Sequence, residues 1–443
     1  MNPRPTAGAA RPWSFPTIHR AHLDNGVQVV TIPLPGKTLC AAELVLDAGA
    51  AFDEIEGVAT LLARAFNEGT AQRDAGAFAD ACESLGMQLA ASAGWDALTL
   101  SLTAPRSRLD AALDLMAEAA WTPSIPADGF DRIKKERLVQ IEQENANGAQ
   151  RAAIEFPRHA YTRDSVYSRS SRGTVATVTG IERAHLVAAH ERYVSPGSAT
   201  LVVAGDVDPA WVLEQAKRAF GAFTRPEADR KTPTTTSAVD ATRIVLVDRP
   251  GSVQTNIVMG HRGVERAHPD LDAIRVASYI LGGSFTSRIN NRLREELGLT
   301  YGSRGGFESR RGPGPFNVAA PVEAPAAAQA ITETLSIVRT MREGGITDDE
   351  LRAAQDYLRG VFPLRFETTD AVANAVGDLA VYGLPDSDLT TYPQRIGAVT
   401  REQVSAAARA HLHPDAMLIV AVGPADQILS DLEAIAPTTV VTD

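Results

Sequence analysis

Two copies of one unit make up this chain, and that limits its fold more than any other feature. Residues 179–205 read TGIERAHLVAAHERYVSPGSATLVVAG, and residues 400–423 read TREQVSAAARAHLHPDAMLIVAVG. Each runs from a helical pattern through a proline into an apolar strand that stops at glycine. Pro196 and Pro414 are 218 residues apart, as are Gly205 and Gly423. An earlier piece repeats at an offset of 216: Ala104-Pro105 ahead of LDAALDLMAEAAW, and Ala320-Pro321 ahead of AAAQAITETLSIV. Chance gives one such match; two at nearly constant offset indicate duplication. Residues 19–224 are therefore expected to form one domain and residues 243–443 its homologue. Between them, 225–242 is polar, carries Pro226 and Pro233 and lacks periodicity, as a linker does. Residues 1–18, rich in Pro, Ala and Arg, are expected to be a disordered tail.

Strands and helices mix within each copy. Leu23-Asp-Asn-Gly-Val-Gln-Val-Val30 carries the Asn-Gly signal of a tight hairpin. Ala97-Leu-Thr-Leu-Ser-Leu-Thr103 alternates at period two, the pattern of a half-buried strand. Helical spacing covers 75–85, 106–121, 128–147 and 182–193. Hairpins beside long helices, without regular β-α-β alternation, predict an α+β fold. Each half is expected to be an antiparallel-rich sheet with helices packed on one face. Two such halves facing one another would enclose a cavity and make half of a clamshell chamber.

The charge balance narrows the function classes. Arg and Lys number 43 against 54 Asp and Glu, a net charge of −11. An acidic chain is a poor nucleic-acid binder, because phosphates call for basic patches. No apolar run approaches the roughly 18 residues of a membrane span. The N-terminus lacks the apolar core of a secretory signal, so a cytoplasmic location is expected. Cys40 and Cys82 are too few for a metal cluster or a disulfide framework.

Local spacing also argues against a metal centre. Histidines stand at 19, 22, 159, 185, 190, 261, 268, 411 and 413, and no two are four apart. A helical zinc site needs that spacing to aim two imidazoles from one face. His185 and His190 are expected on different faces of a surface helix, and His411 and His413 at a helix end. Neither a G-x-S-x-G elbow nor a Walker loop is present. The stretch Gly305-Gly306 to Gly312-Pro-Gly-Pro315 is a turn-rich loop.

Several short motifs, in order across both halves, nevertheless resemble a known family. They are Leu23-Asp-Asn-Gly26, Gly57 through Gly69-Thr70, Gly173-Thr174, Pro196 through Gly205-Asp206, and Pro250-Gly-Ser-Val-Gln254. Leu281-Gly-Gly-Ser-Phe-Thr-Ser-Arg288 then leads into Leu293-Arg-Glu-Glu-Leu-Gly-Leu-Thr-Tyr301. Over roughly 20–435 the chain resembles the pitrilysin and mitochondrial processing peptidase family of inverted-motif zinc peptidases. The resemblance implies a His-x-x-Glu-His helix before Gly69-Thr70. Here its ligand positions hold Thr60 and Arg64, and its general-base position holds Ala63. The family's third ligand falls seven residues after the Glu of Glu136-Arg137, where Gln143 stands. Thr and Gln are poor zinc ligands, Ala activates no water, and Arg is a permanent cation without a lone pair to give.

The family's Arg/Tyr pair, which reaches across the chamber to hold the substrate carbonyl, is matched by Arg294 and Tyr301. The resemblance thus implies a non-catalytic subunit with no cofactor of its own, inactive alone. Its partner would be a homologous zinc-bearing subunit in a heterodimer that cleaves unfolded peptides. The other reading is a structural or peptide-binding homologue without any peptidase role.

Overall fold

Residues 13–227 and 233–442 are described by the structure, a computed structural model. The duplication is visible in two six-stranded sheets. The first half supplies β1 (His19–His22), β2 (Gln28–Pro33), β3 (Leu39–Leu46), β4 (Gln88–Ala93), β5 (Leu98–Pro105) and β6 (Ala199–Gly205). The second supplies β7 (Arg243–Asp248), β8 (Gln254–Arg262), β9 (Arg304–Phe307), β10 (Pro315–Glu323), β11 (Leu418–Gly423) and β12 (Thr438–Val441). The strand orders are β1-β2-β6-β3-β5-β4 and β12-β7-β11-β8-β10-β9.

Five strands correspond one to one, including a single parallel pair in the same place: Val30 opposite Val202 in one sheet, Val245 opposite Val420 in the other. The sixth strand differs. In the first sheet it is β1, which the Asn25-Gly26 turn folds back antiparallel to β2; in the second it is the C-terminal β12, parallel to β7. Gly205 and Gly423, the glycines that repeat in the sequence, do the same job in each half. A Cβ on Gly205 would lie 2.4 Å from Cys40 Sγ, and one on Gly423 would lie 2.4 Å from Thr255 Oγ1.

Both sheets are covered on both faces. On one side each packs against helices of its own half, as the amphipathic stretches predict. The helix Gly148–Ala160 then crosses over, and its Ala152, Phe156 and Ala160 pack on Val245, Val258, Leu418 and Val420 of the second sheet. The helix Thr369–Tyr382 returns the exchange against β3 and β6. This explains why Leu201-Val-Val-Ala204 and Leu418-Ile-Val-Ala-Val422 are continuously apolar, since strands buried on both faces cannot alternate.

Of the tail expected over 1–18, residues 1–12 lie outside the described residues. Residues 13–18 do not behave as a tail. Trp13 stacks on Phe366 at 5.7 Å, and Phe15, 5% exposed, meets the same ring edge-on at 5.0 Å. Two aromatic rings among Ala, Pro and Arg gave too short a pattern to read as core. Of the linker expected over 225–242, residues 228–232 lie outside the described residues. Its flanks are tied down: Arg225 donates to the carbonyls of His190 and Val194, and the Thr236 N–H donates to Ser165 Oγ.

The turn-rich loop at 310–315 stitches the halves together. Arg311 reaches Asp47 and the Asp96 carboxylate, and the Gly312 N–H donates to the Tyr167 hydroxyl. Among the described residues, no helix is long and apolar enough to cross a membrane.

Candidate functional site

The helix Val58–Ala65 carries the positions at which the resemblance expects a metal-binding motif. Asp53 holds its N-terminus, both carboxylate oxygens accepting from the Ala59 N–H. Burial pushes the Asp53 carboxyl up to about 7, against the pull of that N–H and its neighbours. Thr60 is half-buried and donates to the Ser171 carbonyl. Ala63 is buried in the core and offers no polar atom. Arg64 is half-buried and hydrogen-bonded through its guanidinium to Gln140 Oε1. Gln143, one position short of facing inward, is exposed.

The carboxylate that does face inward is Glu144, and arginines claim it. Arg137, 2% exposed, binds it through both guanidinium nitrogens at 2.9 and 2.7 Å, and Arg172 adds a third bond at 2.9 Å. Burial alone would raise the Glu144 carboxyl. The Arg137 hydrogen bonds, with the charges of Arg137, Arg172 and Arg64, outweigh that and hold it below its ordinary value. Burial, and then the charge of Arg137, lowers Arg64 from its usual value.

A zinc ion needs several electron-pair donors converging on one point. This locus presents three guanidinium groups around one engaged carboxylate. The residues here do not fit a metal, and no chemical step is assigned to one in this half.

The second candidate locus is built from unusual backbone. Two π-helical turns, Tyr279–Gly283 and Asn291–Glu296, flank the Gly283-Ser-Phe-Thr-Ser287 loop. π-turns are rare and cluster at functional sites. Arg294 lies in the second of them, which Gly298 ends in a left-handed conformation (φ 64°). Asn290, 2% exposed, donates to the Phe285 carbonyl and accepts from the Ser303 N–H, tying the loop to the start of β9. Thr300 Oγ1 donates to the Pro321 carbonyl of β10 at 2.6 Å. With Thr300 and Ser303 anchored on either side, Tyr301 stands out of the surface, 95% exposed.

Tyr301 borders a cleft of about 1140 Å3 lined also by Phe285, Tyr279, Tyr357 and Arg304. Arg294 reaches this cleft only through Phe285. Its guanidinium stacks on the Phe285 ring at 4.2 Å and pairs with Glu295. Phe285, 65% exposed, and the positioning residues Asn290 and Thr300 were not singled out from sequence. Phe285 lies inside the motif quoted for the resemblance, but nothing in its spacing distinguishes a stacking platform from a loop residue.

The histidines partly depart from expectation. His185 is a capping acceptor for the Glu182 N–H. His190 is buried rather than on a surface face, with Nε2 2.8 Å from the Ala120 carbonyl, and burial pushes it down to about 4.

Comparison with known proteins follows the same division into halves. Residues 28–174 match the family described as Insulinase (Peptidase family M16), and residues 180–358 match Peptidase M16 inactive domain. A relative from Mycobacterium bovis, called an uncharacterized zinc protease, is 27% identical over 414 residues, covering 91% of this chain and 93% of its own. One from Helicobacter pylori, called a non-peptidase homolog, is 22% identical over 364 residues, covering 80% and 82%. The solved structure of a peptidase M16 inactive domain from Pseudomonas fluorescens superposes with a TM-score of 0.85 at 28% identity, covering 92% of this chain and 98% of that one. Two M16 spans follow one another along most of the sequence, on the fold of a solved M16 relative. The chain therefore belongs to the peptidase M16 family, as a member whose first half offers arginines where a metal would need ligands.

Proposed function

We propose that this chain is the non-catalytic subunit of a heterodimeric zinc endopeptidase and lends Arg294 and Tyr301 to a zinc-bearing homologue that cleaves unfolded peptides. The observation that carries the reading is Tyr301. Tyr301, 95% exposed and held out by two anchored residues, shares one cleft with Phe285 at 65% and Tyr357 at 52% exposure, and such a grouping of exposed aromatics marks an interaction surface. The residues lining its cleft all come from the second half, so a surface from elsewhere is free to face it.

In such an assembly the partner's metal would supply an activated water. This chain's side chains would bind the other end of the scissile group. The Tyr301 hydroxyl donates to the carbonyl oxygen, and Arg294, swung off Phe285, adds charge. Both act where negative charge develops, which is where a fixed donor contributes most.

The name of the Helicobacter pylori relative favours a second reading, a structural or peptide-binding homologue without peptidase function. One experiment separates the two. The chain is mixed with a homologue of similar length that keeps His-x-x-Glu-His, and peptide cleavage is measured with and without a chelator. Chelator-sensitive activity that needs both chains supports the proposal. Full activity from the partner alone, or none from the mixture, supports the second reading.

A further inference from the structure

Three histidine-region side chains far apart in sequence converge at one end of the second half. The helix Arg401–His411 packs across the helix Leu271–Ser278, bringing His411 over the turn that carries His268 and Asp270. His411 Nε2 lies 2.8 Å from Asp270 Oδ2, and His268 Nδ1 lies 4.0 Å from the same oxygen. The imidazoles stand nearly perpendicular with centroids 4.8 Å apart. Among the described residues this is a group of three whose donor atoms all fall within 4.8 Å of one another. We propose that His268, Asp270 and His411 bind a divalent transition-metal ion of the zinc class, apart from both loci described above.

The donor set selects the ion. Two imidazoles and a carboxylate suit Zn2+, Ni2+ or Cu2+, whereas Mg2+ and Ca2+ require oxygen. Zinc–donor bonds of about 2.0–2.1 Å put tetrahedral ligands roughly 3.3 Å apart. One pair is already closer than that, and the wider gaps close by rotating partly exposed side chains. The side chains of His268, Asp270 and His411 are 23%, 49% and 15% exposed, so an ion and its waters have access.

Loading has a defined chemical balance. The ion takes the place of the proton between His411 Nε2 and Asp270, which moves to the other ring nitrogen or to solvent. His268 Nδ1 gives up the Asp270 N–H, now 3.1 Å away. The neighbouring His261 stays out of the site. Its Nδ1 is engaged with the Arg262 carbonyl and its Nε2 with the His413 N–H, so it backs the cluster without a free nitrogen. A bound ion would tie the end of one helix to the start of another, and would therefore raise thermal stability with ion concentration.

The test is calorimetric titration of the chelator-stripped full chain with zinc chloride near neutral pH, with magnesium chloride as the comparison. One zinc per chain and no magnesium is expected. Even outer-shell changes cost about 10–100-fold in metal affinity, so His268→Ala and Asp270→Asn should each weaken binding at least about tenfold. His268→Ala with His411→Ala together should abolish it. His19→Ala with His22→Ala, on the exposed strand β1, should leave it unchanged. If His411→Ala fails to fold, the two partly exposed positions carry the test by themselves. No zinc uptake by the unsubstituted chain, or uptake unaffected by His268→Ala and Asp270→Asn, overturns the proposal.

Discussion

Arg137 is almost fully enclosed, yet its guanidinium is satisfied by Glu144 at both nitrogens and by the Arg172 carbonyl at Nε. Removing one partner of such a pair strands the other, which costs about 3–5 kcal/mol in buried settings. Arg137→Ala is therefore expected to destabilise the fold by about that much in denaturant titration. Arg172→Ala should cost under about 1 kcal/mol, because the Arg172 side chain is 60% exposed and solvent can replace it. Equal losses would mean that the ion pair is not what holds this locus. At the other site, the proposed role of Tyr301 predicts a split in kinetics. Tyr301→Phe removes one hydroxyl from an exposed ring, so stability and pairing should be untouched. In the assembled enzyme kcat should fall about 10²–10³-fold, the usual cost of a lost oxyanion donor, with little change in KM. Arg294→Ala should lower kcat and raise KM, since a guanidinium can also hold the carbonyl in the ground state. Wild-type turnover in both variants would reduce the pair to surface residues.

Elements were legible in the sequence where their cause is local. The Asn25-Gly26 turn, the alternation in β5 and the repeated Pro and Gly around β6 and β11 all act over a few residues, and each stands where its pattern puts it. The identity of the partner surface was not legible. The apolar face of Gly148–Ala160 shows that a helix must be buried, but nothing in it says that the covering sheet belongs to the other half. The histidine cluster was hidden for the same reason: a search by spacing finds ligands on one helix, whereas His268 sits in a turn and His411 at the end of a helix more than a hundred residues later. The candidate residues Thr60, Ala63, Arg64 and Gln143 were found through resemblance, but the arginine network around Glu144 needed coordinates. The segment before β1 yields a prediction of its own. Phe15 is buried among Trp13, Phe362 and Phe366 on the second half while its chain continues into the first. Phe→Ala in a core costs about 3–5 kcal/mol, so Phe15→Ala should lower the unfolding midpoint markedly. An unchanged midpoint would return these residues to a loose tail.

Across the whole molecule, the junction between halves stores a buried acid. Glu43 on β3 is 7% exposed and lies against the crossing helix Thr369–Tyr382, so close that a Cβ on Gly377 would sit 2.5 Å from its Oε2. Burial, with the nearby Asp378, pushes Glu43 from 4.5 up to about 8, and Asp53 rises from 3.8 to about 7. Between its unfolded and folded values each acid binds more proton in the folded state, so each loses stability as pH rises, at roughly 1.4 kcal/mol per pH unit. Two buried histidines act in the opposite sense. Burial lowers His190 from 6.5 to about 4 and His261 to about 3, so the unfolded chain binds more proton and stability rises with pH up to about 6.5. From about 4.5 to 6.5 the two pairs nearly cancel. Of these four groups, the histidines contribute no slope above 6.5, Asp53 finishes near 7 and Glu43 continues to about 8. Asp96 and Asp378, also raised by burial, slope in the same sense as Asp53 and Glu43. Unfolding free energy should therefore be flat from about 4.5 to 6.5 and decline from about 6.5 to 8, most steeply before Asp53 finishes near 7. Below about 4.5 it should fall again, as the arginine-held Glu144 and Asp388, both below their ordinary values, take up protons. Glu43→Gln keeps the shape but cannot ionise, so it should remove the decline between 7 and 8, turn the flat stretch from about 4.5 to 6.5 into a rise with pH, and leave the limb below about 4.5 unchanged. Denaturant titrations of both proteins across this range decide the matter. A variant whose profile runs parallel to wild type above pH 7 would show that Glu43 does not govern the junction.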